Sequence, residues 1–227
     1  MSSIEFFFDP MCPFAWVTSR WVQEVRTQRD VDVAWRFISL EDVNAPKFEA
    51  DEQAVARGEE PSLPPQYRDI SRLGNRLLRV AAALRDAEGN GAVEDFYTSL
   101  GMQLHNGGLS RDVWKGADLN QVFDQLVEQA GVRANVLRDA EDEDDRWGKV
   151  VRAETELALS RTGDDVGTPI ITWDLDRPDE ASLFGPVISR IPRGEEAVRL
   201  WDAVETVALT PGIAEFKRSQ RAELDFS

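Results

Sequence analysis

Two periodicities alternate along the chain, and their order predicts its architecture. Ile4, Phe6 and Phe8 alternate with Glu5 and Phe7, the period of a strand, and the run stops at Asp9-Pro10. Helical spacing follows: Phe14, Val17, Trp21 and Val25 recur at intervals of three and four, which predicts a helix opened by Cys12 and running to about Gln28. A second strand is expected over Val31–Ile38, with Val31, Val33, Trp35 and Phe37 on one face and Asp32, Ala34 and Arg36 on the other. Strand, helix, strand in the first forty residues is a right-handed βαβ unit.

Between Glu41 and Pro65 the periodicity fades into charge, proline and alanine, so this stretch reads as a solvated loop, as a lid, or as partly helical at Glu49–Ala56. From Pro65 to about Ser160 the pattern is helical throughout. Its stripes are Tyr67, Ile70, Leu73, Leu77, Val80, Ala81 and Leu84; then Val93, Phe96, Tyr97 and Leu100; then Leu119, Val122, Phe123, Leu126 and Val127, capped by Gly131. A fourth helix is expected from Ala134 through Trp147, Val150 and Leu157 to Gly163. The acids Asp139 to Asp145 inside it lack the spaced oxygens and glycine of a calcium loop, so they read as a solvated helix face.

Strand signal returns in Ile170-Ile171-Thr172-Trp173 and in Ser182–Val187, joined by a polar hairpin loop over Asp174–Ala181. A helix with stripe Val198, Leu200, Trp201, Val204 and Val207 follows, and Pro211-Gly212 is expected to open a short last helix to about Arg218. The expected order is therefore βαβ, helical insertion, ββα, with boundaries at 1–64, 65–163 and 164–227.

Composition narrows the functional classes. A formal charge of −16 over 227 residues disfavours nucleic acid and anionic membrane as partners. No apolar run is long enough to span a bilayer, and no secretory leader pattern is visible, so a cytoplasmic location is expected. No glycine-rich phosphate loop or metal-ligand cluster appears, and no tightly bound cofactor is expected.

The chain has one cysteine. Taken alone, a single cysteine is a small buried hydrophobe, but Cys12 is expected at the first turn of a helix, where free amides and the helix dipole favour a thiolate. Pro13 suits the first helical position, because its missing N–H costs nothing there. Cys-Pro at a strand-to-helix junction reads as the active-site turn of a thioredoxin-like redox protein, in which Cys-X-X-Cys is usual. Here the turn is Cys12-Pro13-Phe14-Ala15, without the second thiol. A monothiol cannot release itself from a mixed disulfide by internal attack.

Four blocks in order, Phe8–Trp21, Leu104-His105-Asn106, Val166-Gly167-Thr168-Pro169 and Phe184–Ala197, resemble the DsbA-like thioredoxin-fold family, most closely its actinobacterial mycothiol-dependent nitroreductase branch. The resemblance spans nearly the whole chain. It implies an α/β thioredoxin-like fold with an all-helical insertion, cytosolic reduction chemistry, and a low-molecular-weight thiol such as mycothiol as cosubstrate. It also implies a cis Thr168-Pro169 bond presenting the Thr168 backbone to Cys12.

On this reading Cys12 and His105 are the catalytic candidates, His105 because an imidazole suits proton transfer near neutral pH. Pro13, Phe14, Ala15, Trp16, Asn44, Asn106, Thr168, Pro169 and Gly185 are the candidates for binding thiol or substrate, with Trp16 a possible border of an aromatic slot. Partners would be a small thiol and a small disulfide or electrophile, acting on a monomer or homodimer. Kappa-class glutathione transferases and hydroxychromene-carboxylate isomerases share the fold plan without a second cysteine, so thiol-conjugate chemistry is an alternative, as is a redox-inactive binding protein.

Overall fold

The computed structural model describes residues 2–141 and 144–227. The N-terminal apolar run forms β1 (Ser2–Phe8), followed by α1 (Pro13–Arg26) and β2 (Val31–Phe37). The chain continues through α2 (Leu40–Val43), α3 (Ala45–Ala56), α4 (Tyr67–Glu88), α5 (Asn90–Gly101) and a π-helical turn (Met102–Asn106). Next come α6 (Leu109–Trp114), α7 (Leu119–Gln129), α8 (Ala134–Ala140) and α9 (Arg146–Thr162). It closes with β3 (Ile170–Thr172), α10 (Pro178–Ala181), β4 (Ser182–Phe184) and α11 (Gly194–Ala208). Internal packing divides the chain into a first unit of Met1–Phe8, Cys12–Arg36 and Glu156–Ser227, and a second of Asp9–Met11 and Phe37–Thr155.

In the first unit the sheet order is β2-β1-β3-β4, with β1 antiparallel to β3 and β3 antiparallel to β4. β1 is an interior strand and is buried along its length from Ile4 to Phe8, so its two faces do not alternate between core and solvent. Glu5 is buried with its apolar neighbours and is satisfied by Arg36 at 2.6 Å and Arg161 at 2.5 Å. β2 does alternate as its sequence predicts, with Val31, Val33, Trp35 and Phe37 buried and Asp32 exposed. α1 buries more than its apolar stripe, because Thr18 and Ser19 go inside along with Trp16, Val17 and Trp21. The Trp21 indole donates to the Ala197 carbonyl at 3.0 Å, and its ring lies 5.6 Å from that of Trp201, which fastens α1 to α11.

In the second unit α4 is the central helix. Ile70, Leu73, Leu77 and Val80 through Leu84 are buried, which matches the predicted stripe. Where β2 ends, Glu154 accepts from the Phe37 amide at 2.9 Å and from Arg85 at 2.7 Å. Ser39 then caps α2 through the Asp42 amide, while its own amide donates to Thr155 Oγ1 at 2.9 Å. These contacts fix the chain as it enters the helical unit.

Several expectations change. Of the readings of Glu41 to Pro65 the partly helical one holds, but the helix begins earlier than Glu49 and spans Ala45–Ala56 after the short α2, because Pro46 opens it and Phe48 supplies a buried anchor. The helix expected from Ala134 to Gly163 is two, α8 and α9; in the acidic run between them, Asp142 and Glu143 lie outside the described residues, as does Met1 at the N-terminus. Asp174–Ala181 contains α10, started by Pro178, instead of being loop throughout. The chain past Pro211-Gly212 forms no helix, since its residues are almost all exposed and offer no apolar face to pack. No described helix is long and apolar enough to cross a membrane.

Two outcomes follow from this packing. Trp21→Ala removes a fully buried indole and strands the Ala197 carbonyl, and should cost about 3–5 kcal/mol in urea unfolding. For Glu5, burial drives the carboxyl up, yet Arg161 and Arg36 outweigh burial and hold it below its ordinary value of 4.5. A carboxyl lowered on folding stabilises the protein above that value, and the contribution fades as pH falls through the lower folded value. Glu5→Gln should therefore destabilise by roughly 3–5 kcal/mol at neutral pH by leaving Arg161 buried and unpaired. The gap to the wild type should narrow on acidification below pH 4.5, measured as urea midpoints across pH.

Candidate active site

Cys12 is the N-cap of α1, with extended backbone at φ −82° and ψ 110°, and Pro13 stands in the first helical position. That conformation turns the side chain back over the helix mouth, and the Ala15 amide donates to Sγ at 3.4 Å. The carbonyl of Thr168 lies 3.4 Å from Sγ on the other side and accepts the thiol proton. Both protonation states therefore have a partner. The amide and the helix N-terminus stabilise a thiolate, and the carbonyl takes the S–H of the thiol. Cys12 retains 8% of its surface.

The facing loop is pinned at three points. Thr168-Pro169 is cis, as expected, and Thr168 Oγ1 donates to the Phe7 carbonyl of β1 at 2.9 Å. The Pro169 carbonyl accepts from the Gly185 amide at 2.8 Å. Gly185-Pro186 is a second cis bond that its sequence had not signalled, and the Pro186 carbonyl accepts from Thr18 Oγ1 at 2.8 Å. Gly185 has φ +107°, a conformation a side chain rarely adopts, which explains the residue type. Strand β1, helix α1 and the β3 to β4 edge thus hold the cis loop against the sulfur.

The first unit brings Cys12, Pro13, Phe14, Ala15, Trp16, Thr168, Pro169 and Gly185 together. Ala15 is completely buried, so a methyl in the core stands where a second thiol is usual. Trp16 is 1% exposed with the Arg20 guanidinium 4.2 Å from its ring centre, so its ring is packing and not the wall of an open slot. Phe14 is half-buried under the Arg221 guanidinium of the C-terminal segment, 4.9 Å from the ring centre.

His105, Asn106 and Asn44 belong to the second unit. His105 is buried in the π-helical turn, a distortion that its sequence gives no sign of and that is frequent at functional sites. Its Nε2 lies 3.0 Å from the Pro10 carbonyl, which only accepts, so Nε2 carries the hydrogen. Burial lowers its pKa to about 4 although the Pro10 carbonyl pulls the other way, and the ring is neutral at physiological pH. Asn44 joins α2 to α3, its Nδ2 donating to the Leu40 carbonyl at 2.9 Å, and Asn106 is exposed. A polar cavity of about 250 Å³ in this unit is lined by Glu41, Asp42, Phe48, Arg68, Arg79 and Arg152, among others.

Asp9 is a residue that periodicity passed over, because Asp-Pro reads as a strand terminator. It is fully buried, and it accepts from the Met11 amide and the Leu40 amide, both at 2.8 Å. Burial raises its carboxyl to about 7 against those two hydrogen bonds, and Asp42 and Glu41 push it the same way as burial. An acid three residues before the cysteine, inside an apolar run, was the available signal.

Comparison with known proteins gives a consistent picture. An uncharacterized protein of Mycobacterium tuberculosis, Rv2286c, is 32% identical over 219 residues, covering 96% of this chain and 82% of that protein. A probable DsbA oxidoreductase from Streptomyces coelicolor superposes with a TM-score of 0.53 at 14% identity, covering 96% of this chain and 94% of that one. A putative protein disulfide isomerase from Nitrosomonas europaea gives 0.51 at 13% identity over 89% of this chain and 96% of that one. These likenesses show the expected DsbA-like thioredoxin fold. Residues 11–218 match the family model for the mycothiol-dependent nitroreductase Rv2466c, and the chain belongs to that Rv2466c-like family.

Proposed function

We propose that this protein is a cytoplasmic thiol-dependent reductase that works with one sulfur. The observation that carries the reading is the seat of Cys12, with Sγ between the Ala15 amide and the Thr168 carbonyl beside a cis proline. Membership of a mycothiol-dependent family supports a small thiol as cosubstrate.

The cycle follows from the chemistry of one thiolate. The Cys12 thiolate attacks one sulfur of a low-molecular-weight disulfide, a Cys12–S–S–R bond forms, and RS⁻ leaves and takes a proton from water. A second thiolate, R′S⁻, attacks the R sulfur, so that R–S–S–R′ departs and the Cys12 thiolate returns. When the acceptor is an electrophile A, the balance is two thiols to one disulfide with A reduced to AH₂. Ala15 cannot perform the second step, so resolution waits on external thiol and is slower than in a dithiol relative. His105 is neutral and committed to Pro10, so its part in this cycle is to hold the turn before Cys12 and not to supply positive charge.

Intact-mass spectrometry tests this reading. Wild-type protein incubated with mycothiol disulfide near neutral pH should gain one thiol adduct, lost again on addition of excess free thiol, and Cys12→Ser should gain none. Absence of the wild-type adduct removes the proposal. A conjugating or isomerase activity that survives in Cys12→Ser favours the kappa-class chemistry in its place.

A second variant tests the missing thiol. Ala15→Cys should expel the captured thiol without external reductant and leave the protein two mass units lighter than its dithiol form, the signature of an internal disulfide.

A further inference from the structure

Asp9 is the deepest buried acid among the described residues, at 0% exposure against 6% for Glu5 and 8% for Glu154. Glu5 and Glu154 are held by arginines. Asp9 instead gives one oxygen to each of two backbone amides, Oδ1 to Met11 and Oδ2 to Leu40. A buried carboxylate is costly, and it is retained here at the start of the three residues that lead into Cys12.

Helix α4 is shaped around it. A Cβ at Gly74 would fall 2.7 Å from Asp9 Oδ1, 3.1 Å from Oδ2 and 3.1 Å from Met11 Cγ, so only glycine leaves the carboxylate its seat. The next peptide is held as well, since His105 donates to the Pro10 carbonyl at 3.0 Å. Met11 N, the Pro10 carbonyl and both Asp9 oxygens are thereby fixed inside the helical unit, one residue ahead of the nucleophile. Asparagine does not substitute, because its amide nitrogen would face one of the two N–H donors. The charged groups acting on Asp9 are Asp42 and Glu41 of α2, and Arg72 and Arg79 of α4 act in turn on Glu41.

We propose that Asp9 is a positioning residue for Cys12: its two oxygens lock the Asp9-Pro10-Met11 turn and so fix the backbone from which Cys12 places its sulfur on the Ala15 amide. The inference rests on Cys12 being the reactive thiolate.

The experiment measures iodoacetamide alkylation of Cys12 against pH, with thermal unfolding by circular dichroism as a check that each protein is folded. Asp9→Asn takes away one of the two acceptors, and Gly74→Ala unseats the carboxylate while leaving the acid in place. With the turn loosened, the sulfur loses the Ala15 amide, and both variants should raise the alkylation midpoint by about one pH unit, a tenfold fall in thiolate fraction below the midpoint. Loss of negative charge alone acts oppositely and would lower the midpoint in Asp9→Asn only. A midpoint that stays at the wild-type value in folded variants, that falls, or that moves in Asp9→Asn but not in Gly74→Ala overturns the proposal. Wild-type protein that alkylates no faster than a free thiol at any pH would instead defeat the reading of Cys12, a result distinguishable because it needs neither variant.

Discussion

The contact on which the rest depends is the one between a sulfur and a backbone amide at the mouth of α1. A thiolate is weakly hydrated compared with a carboxylate, so one aligned N–H and a helix dipole are enough to bias its ionisation. That bias exists only while Cys12 keeps the extended conformation of an N-cap residue. Each neighbouring element can be understood as serving that conformation: Pro13 starts the helix without wasting a donor, β1 delivers the chain to the turn, and the cis loop closes from the other side. The cis loop in turn is bolted to β1 through Thr168 and to α1 through Pro186.

Much of this was legible in the residues. The alternation of β2, the helical stripe of α4 and the Cys-Pro junction each reflect a single local rule, and the structure obeys them. What was not legible depends on what lies beyond the local segment. β1 is buried on both faces because it is an interior strand, so Glu5 goes inside where alternation would have put it in water, and two arginines distant in sequence make that tolerable. The extent of α3 turns on a tertiary anchor, Phe48, which does not announce itself in a charged stretch. Among the candidate site residues, Cys12 and Pro169 carry motifs, whereas the buried seat of Asp9 shows only once Leu40 and Gly74 are seen beside it.

The stability cost of Asp9 shows how function and folding are set against each other. Its carboxyl is raised on folding, so its ionisation in the folded protein weakens the fold as pH rises from the ordinary carboxylate range towards 7. Glu5 has the reverse sign and acts lower on the pH scale, because its arginines outweigh its burial: it strengthens the fold as pH rises from its lowered folded value to 4.5 and contributes fully above that. The two buried acids therefore oppose each other in the pH dependence of stability. An acid that costs stability and sits three residues ahead of the cysteine fits the wider pattern in which perturbed groups cluster at functional sites, as the positioning role proposed for Asp9 requires.

The buried methyl of Ala15 has a consequence for how such a protein sits in a cell. With one cysteine in the whole chain, no disulfide can be stored inside a single molecule. On the proposed cycle, the share of molecules carrying a captured thiol rises and falls with the balance of disulfide to free thiol in the surroundings. The protein then samples its redox environment from moment to moment and keeps no memory of it.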